Sequence, residues 1–363
     1  MSIEDEIAAI EKEIRDTPYN KATSHHIGKL KAKIAKLRDE LQKRASAKGG
    51  GEGYSVKKSG HATVTLVGFP SVGKSTLLNQ LTGAKSEIGA YEFTTLDVIP
   101  GVLEHNGAII QILDVPGLVR GAASGRGRGK EVIAVVRNSD LVVFVLDVFQ
   151  TQHYEVLKQE LYDAGVRLDA TPPDVVIKKK DRGGISISAT QDLDIPDNLI
   201  KTILGEYKIH NAHVLIRDNI GIDELIDVIM GNRVYIPSVV VINKVDLADE
   251  ETLRKCREKF PDALFIAANE GKNVEAVKDL IYNSLDFIRV FLKPQGEAAD
   301  MDEPLIITKG STVGDVCDHL HRDFRDKFRY AQIWGNSAKH PGQRAGLDHV
   351  LVDGDILTVI IQK

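Results

Sequence analysis

Cysteine is scarce. Cys256 and Cys317 are the two in 363 residues, far apart and in no CxxC spacing, which excludes a disulfide-stapled fold. His319 and His321 stand near Cys317, but helical spacing separates His319 from the other two. Structural zinc takes four ligands, so no metal is expected there. Long apolar runs are missing too: the longest, such as Leu141 to Leu146, have strand length and fall far short of the roughly 20 residues that span a bilayer. No apolar opening stretch resembles a secretion signal. These absences lead us to expect a reduced, cytoplasmic protein with no membrane role. The formal net charge is only −5, with 42% hydrophobic content, so the chain reads as globular, with enough length for two or three domains of about 150 residues each. Charge is nonetheless uneven, because residues 21 to 48 carry nine Lys or Arg against Asp39 and Glu40 alone. That excess suggests an acidic partner surface.

What is present centres on Gly68-Phe69-Pro70-Ser71-Val72-Gly73-Lys74-Ser75. The β-branched run His61 to Val67 leads into this loop, and Thr76 to Leu81 leaves it with helical character. Strand, glycine-bounded loop and helix together form a phosphate cradle: Gly68 and Gly73 let backbone N–H groups turn inward beside a helix N-terminus. Lys74 can reach β- and γ-phosphate oxygens, and the Ser75 hydroxyl can complete a Mg²⁺ shell.

Two further segments fit the same chemistry. Tyr91-Glu-Phe93-Thr94-Thr95-Leu96 precedes a strand near Val98 to Glu104, where a nucleotide-sensing loop would fall; a threonine here can ligate Mg²⁺ and feel the γ-phosphate. The strand Ala108 to Leu113 ends in Asp114-Val115-Pro116-Gly117, whose carboxylate can hold Mg²⁺ through water while the Gly117 N–H approaches the γ-phosphate. Leu118 then occupies the place where many GTPases carry a glutamine that orients the attacking water. Leucine cannot do this. The glycine-rich loop to Gly129 reads as a switch, and its Arg120, Arg126 and Arg128 either supply cationic stabilisation, face solvent or contact RNA phosphates.

Base selection falls to Asn243-Lys244-Val245-Asp246 after the strand Ser238 to Ile242. The Asp246 carboxylate can accept from guanine N1–H and the N2 amine, whereas adenine offers no matching donor pair. The Lys244 stem would cover the base and Asn243 would brace neighbouring loops. In Phe265 to Asn269, Ala267 and Ala268 stand where a Ser-Ala pair usually offers a backbone N–H to guanine O6.

The remainder is appended to this site. Ile3, Ile7, Ile10 and Ile14 line one helical stripe behind a Ser2/Asp5 capping box, and Ile27, Leu30, Ile34, Leu37 and Leu41 line a second. They predict a helical hairpin over 1–48 with a lysine-rich outer face, either solvated or against RNA. A glycine-rich linker over 49–60 leaves the hairpin free to move. The nucleotide domain is expected over 61–165 and 237–291, closed by a helix from Val274 to about Val290. Between its two parts, residues 166–236 read as an inserted α+β subdomain with a basic hairpin tip at Lys178 to Gly184. A small β-grasp-like domain follows over 292–363.

Together these strings resemble the developmentally regulated GTP-binding (DRG) proteins, a branch of the Obg family of translation-associated GTPases. Asn20-Lys-Ala-Thr23, the phosphate loop, Tyr-Glu-Phe-Thr-Thr-Leu, the glycine-rich loop after Asp-Val-Pro-Gly and Ile-Trp-Gly-Asn-Ser-Ala-Lys-His340 carry the resemblance, which runs nearly end to end. It implies an α/β, Ras-like P-loop G domain interrupted by an S5D2-like insertion, a helix-turn-helix-like N-terminal hairpin and a C-terminal TGS domain. It also implies Thr95 and Ser75 as the protein ligands of Mg²⁺, with a hydrophobic residue at position 118. The ribosome or ribosomal RNA would be the partner, eukaryotic members having a dedicated stabilising protein as well. DNA sequence specificity is not expected. Some GTPases lacking the glutamine use K⁺, usually with an asparagine in the phosphate loop. Ser71 stands there, which argues against K⁺ dependence.

The expectation is therefore a Mg²⁺-dependent GTPase of slow intrinsic turnover, switching between GTP and GDP on ribosomes, with Lys74, Thr95 and Gly117 as its catalytic groups. The rival reading is a nucleotide-stabilised scaffold for RNA in which hydrolysis is incidental. An ATPase of the Obg-like type is disfavoured by Asp246.

Overall fold

The computed structural model describes residues 2–47, 60–82, 98–115 and 129–362, which gather into two compact units. Among these residues, the first unit takes 60–115, 138–153 and 237–362, and the second takes 2–47, 129–137 and 154–236.

In the first unit, β1 (Ala62–Val67) and β4 (Leu141–Asp147) are buried at every position, as short apolar runs covered on both faces should be. With β2 (Ile99–His105), β3 (Ala108–Asp114), β10 (Ser238–Asn243) and β11 (Leu264–Phe265) they form a six-stranded sheet of order β11-β10-β4-β1-β3-β2. All neighbours are parallel except β2, which is antiparallel to β3. Parallel strands end on one edge, so the loops after Val67, Asp114, Asp147 and Asn243 share that edge, where open α/β sheets take ligands. Leu77, Leu78 and Leu81 of α3 (Lys74–Thr82) and Val277 and Ile281 of α9 (Val274–Ser284) pack on Leu66, Ile112, Val143 and Val241. α8 (Glu250–Lys259) is capped by Asp249, which accepts from the Thr252 N–H at 2.8 Å.

A second sheet in this unit runs β13-β12-β16-β14-β15, from β12 (Phe287–Leu292), β13 (Leu305–Thr308), β14 (Phe328–Trp334), β15 (Gln343–Ala345) and β16 (Asp355–Ile361). α10 (Val313–Leu320), followed by α11 (Arg322–Asp326), lays Val316 and Cys317 on Val290, Ile333 and Leu357. Here the expected closing helix is corrected. It stops at Ser284; Asp286 takes a positive φ of 49°, and Phe287 to Leu292 pairs parallel with β16, so the C-terminal domain starts about five residues before 292. Ile306 of β13 lies in the core beneath the six-stranded sheet, which makes the two sheets neighbours.

The second unit contains α1 (Ile3–Asp16), α2 (Ser24–Ala47), α4 (Gly129–Arg137) and α5 (His153–Asp163) from Tyr154 onward. Its β5 (Val166–Leu168) and β9 (Val234–Ile236) pair in parallel and tie the two ends of the insertion together. Between them lie β6 (Val175–Lys179), β7 (Ile185–Ala189), α6 (Asp197–Glu206), β8 (Ala212–Ile216) and α7 (Ile222–Met230). The strand order is β6-β8-β7, so the basic segment at 178–184 is not a hairpin tip: β8 separates the two strands it joins. The Ser2/Asp5 capping box is present, and Glu13–His26 and Glu6–Lys33 pair α1 antiparallel to α2.

Nor does the helical hairpin stand free. Gly28, Ala32 and Ala35 form a stripe of small residues on α2 that admits α6: Ala32 and Ala35 share one core with Leu199, Ile200 and Ile203, and a Cβ on Gly28 would lie 2.8 Å from Leu199. Its lysine face is largely spent inside the unit, with Lys31 on Asp223, Lys33 on Glu6 and Lys36 on the Glu206 carbonyl. At the neck of the insertion, Asp227 receives Arg167 at 2.5 and 2.7 Å and Arg233 at 2.8 Å, all three side chains nearly inaccessible. Among the described residues no helix is long and apolar enough to cross a membrane.

Candidate nucleotide-binding site

The loop between β1 and α3 is shaped by residues that only certain side chains permit. Gly73 has a φ of 96°, and a Cβ there would lie 2.3 Å from Asn243 Nδ2; a Cβ on Gly68 would lie 2.4 Å from the Val145 carbonyl. Both positions exclude any larger residue. Ser71 takes a φ of 64° without being glycine, a strained conformation of the kind that gathers at ligand sites. Pro70 and Ser71 are exposed at the tip, Val72 is buried beneath it, and Thr76 follows in the first turn of α3.

Lys74 is buried, its Nζ donating to the Gly68 and Phe69 carbonyls at 3.2 and 3.3 Å. Burial pulls its pKa down, partly offset by the nearby Asp114. The Ser75 hydroxyl donates to Asp114 Oδ2 at 2.5 Å, joining the start of α3 to the end of β3. Burial pushes the Asp114 carboxyl up, against the pull of Ser75 and Lys74. The pair places a hydroxyl and a carboxylate oxygen side by side, a hard-oxygen donor set that fits Mg²⁺. Val115 is buried behind them. Phe93, Thr94, Thr95, Pro116, Gly117, Leu118, Arg120, Arg126 and Arg128 lie outside the described residues.

The base-reading side is joined to this loop through Asn243. Its Nδ2 donates to the Val72 carbonyl at 2.9 Å and its Oδ1 accepts from the Ala268 N–H at 2.9 Å. The side chain therefore braces both loops. Lys244, in the left-handed region at φ 67°, donates from Nζ to Asp147 at 2.7 Å. Asp246 is exposed in the following turn and has no side-chain partner among the described residues. One detail differs from the sequence expectation: the Ala267 N–H donates to the Lys272 carbonyl at 3.2 Å and that of Ala268 to Asn243, so neither amide is free. A base accepting from the Ala268 N–H would share that donor with Asn243 Oδ1 or take it over.

Two residues were missed by sequence reading. Asp147 closes β4 directly opposite Asn243 in the sheet register, and its two oxygens hold Lys244 and the Phe149 N–H. A carboxylate ending a buried strand beside the NKxD strand was the available signal. His153 stacks on Phe69 of the phosphate loop, ring centroids 4.0 Å apart, and no local motif points to it.

Comparison with known proteins places this geometry. Residues 63–179 match a family model described as "50S ribosome-binding GTPase", residues 182–287 its C-terminal region, and residues 288–361 the TGS domain. An uncharacterised GTP-binding protein of Methanocaldococcus jannaschii is 58% identical, covering 100% of this chain and 94% of its own. The developmentally-regulated GTP-binding protein 1 homolog of Dictyostelium discoideum is 46% identical over 99% and 100%, and developmentally-regulated GTP-binding protein 1 of Xenopus laevis 44% over 98% of each. Among solved structures, the YchF GTPase of Schizosaccharomyces pombe aligns over 84% of this chain and 99% of its own, at 14% identity and a TM-score of 0.46. With its P-loop G domain and C-terminal TGS domain, the chain belongs to the developmentally regulated GTP-binding proteins and is a GTP hydrolase.

Proposed function

We propose that the protein is a Mg²⁺-dependent GTP switch of slow intrinsic turnover that acts on the ribosome or its RNA. The observation that carries the nucleotide part is Asn243, which links the phosphate loop and the base-reading loop into one site. Ser75 directly and Asp114 through water would hold Mg²⁺, with Thr95 as the third group; the ion adds positive charge against phosphate oxygens.

The chain's own residues do the rest. Lys74, held by two carbonyls, turns to β- and γ-phosphate oxygens and stabilises the charge that grows as water adds to the γ-phosphorus and the bond to the bridging oxygen breaks. Loop amides between Gly68 and Ser75 bind the phosphates, and Asp246 accepts from the base. Thr95 and Gly117 sense whether the γ-phosphate remains. Leu118 cannot orient water, hence the slow turnover.

The ribosomal part is supported by the description of the matching family model and by the added modules. The test is single-turnover GTP hydrolysis with and without purified ribosomes at fixed Mg²⁺ and K⁺. Stimulation by ribosomes is expected. A rate indifferent to ribosomes, with binding equally indifferent to GTP or GDP, would replace the switch by the scaffold reading.

A further inference from the structure

The phosphate loop is held at two points, and Asn243 accounts for only one of them. Asn243 takes the Val72 carbonyl on the limb that enters α3. On the limb that leaves β1, the half-buried Phe69 ring lies against His153, with centroids 4.0 Å apart and planes inclined by 20°. Ser71, with its left-handed backbone, stands between the two points. Such a conformation persists where its surroundings over-determine it, and a hold on each limb does that.

His153 is itself fixed from the base-reading side. The Asp147 carboxylate takes Lys244 and the Phe149 N–H, and the Asp147 carbonyl accepts from the Gln150 N–H at 2.9 Å. The Gln150 carbonyl in turn accepts from the His153 N–H at 3.2 Å, at the start of α5. His153 and Phe69 both belong to the first unit. A second route therefore joins the base-reading loop to the phosphate loop, through Asp147, this turn and the stacked rings. It ends at Lys74, because the Phe69 carbonyl is one of the two that hold its Nζ.

Hydrogen bonding does not explain the imidazole. Its Nδ1 is buried and, among the described residues, has no hydrogen-bond partner. A ring placed for hydrogen bonding would not leave its inner nitrogen unmet; the face against Phe69 is what this one uses.

We propose that His153 is a positioning residue for GTP and GDP: its ring holds Phe69, and so sets the carbonyl from which Lys74 is handed to the phosphates. The inference rests on the reading above that Lys74 meets β- and γ-phosphate oxygens.

The test is competition of GTP, GDP and GMP against a fluorescent nucleotide on the full chain, with the thermal midpoint of every variant checked against the parent. His153→Ala weakens GTP and GDP roughly 2- to 13-fold, the worth of an aromatic pair. It leaves GMP unchanged, since GMP lacks the phosphates that Lys74 serves. His153→Phe keeps the ring face without Nδ1 and restores the parent affinities, whereas His153→Leu, of similar volume but without a ring, does not. On a Lys74→Met background, His153→Ala has no further effect on GDP, because the two residues act through one contact. Unchanged GDP affinity in His153→Ala, an equal loss for GMP, rescue by leucine as full as by phenylalanine, or no rescue by phenylalanine would each overturn the assignment. The Lys74→Met background separates the two readings. If Lys74→Met alone leaves GDP affinity at the parent value, the phosphate reading falls and takes this inference with it. If Lys74→Met weakens GDP and His153→Ala still adds its whole loss, only the role of His153 falls.

Discussion

The phosphate loop and the neck of the insertion each bury cations beside a carboxylate, and they resolve the problem in opposite ways. At the neck, Asp227 takes Arg167 and Arg233 together at 2.5 to 2.8 Å, so charge is met by charge within the chain. At the phosphate loop, Lys74 is buried against carbonyls only, and burial displaces both its pKa and that of Asp114. Asp246 has no partner at all among the described residues. Compensation completed inside the chain builds structure; compensation left incomplete marks where a charged ligand belongs.

Substitutions at the two places should separate stability from binding. The largest effect is expected from Asp227→Ala, which strands two buried guanidiniums and costs about 3–5 kcal/mol of unfolding free energy. Urea denaturation should show it, with GTP affinity of the folded protein unchanged. Replacing all three members by apolar residues of similar volume should recover much of the loss; failure to do so would give the neck a role besides structure. Lys74→Met should do the reverse, lowering GTP affinity by about 2–5 kcal/mol in calorimetric titration while the nucleotide-free protein melts no earlier. Earlier melting with affinity retained would break the comparison.

Asn243→Ala removes both links between the loops and should weaken GTP and GDP alike by about 1–3 kcal/mol, measured by competition against a fluorescent nucleotide. A loss confined to one nucleotide would mean that Asn243 senses the γ-phosphate. The smallest change is expected from Ser71→Gly, which relieves a left-handed backbone and should raise the thermal midpoint by an amount equivalent to about 1 kcal/mol.

How far each region could be read from sequence follows from the same contrast. At the nucleotide site, chemistry restricts residue type position by position: no side chain fits at Gly68 or Gly73, and a carboxylate at Asp246 suits guanine's two donors. Partners distant in sequence were harder to see. Asp147 under Lys244 and the Asp227 triad depend on strand register, which no local pattern encodes. The basic segment at 178–184 was read as a hairpin tip for a related reason, since strand character at β6, β7 and β8 does not say that β8 pairs between the other two. The run Phe287 to Leu292 continued a helical pattern by composition, and periodicity alone does not separate a short apolar strand from a helix end. On α2 the large apolar residues drew attention, while the small ones, Gly28, Ala32 and Ala35, take α6.

The most direct test of the nucleotide site is base exchange at Asp246. Guanine presents two donors to its carboxylate, whereas xanthine presents one donor and one acceptor, which the amide in Asp246→Asn can match. Competition of GDP and xanthosine diphosphate against a labelled nucleotide, on both forms of the protein, reads this off. Our account predicts that Asp246→Asn weakens GDP by about 2–4 kcal/mol and gains xanthosine diphosphate binding. GDP affinity unchanged by the substitution would contradict it.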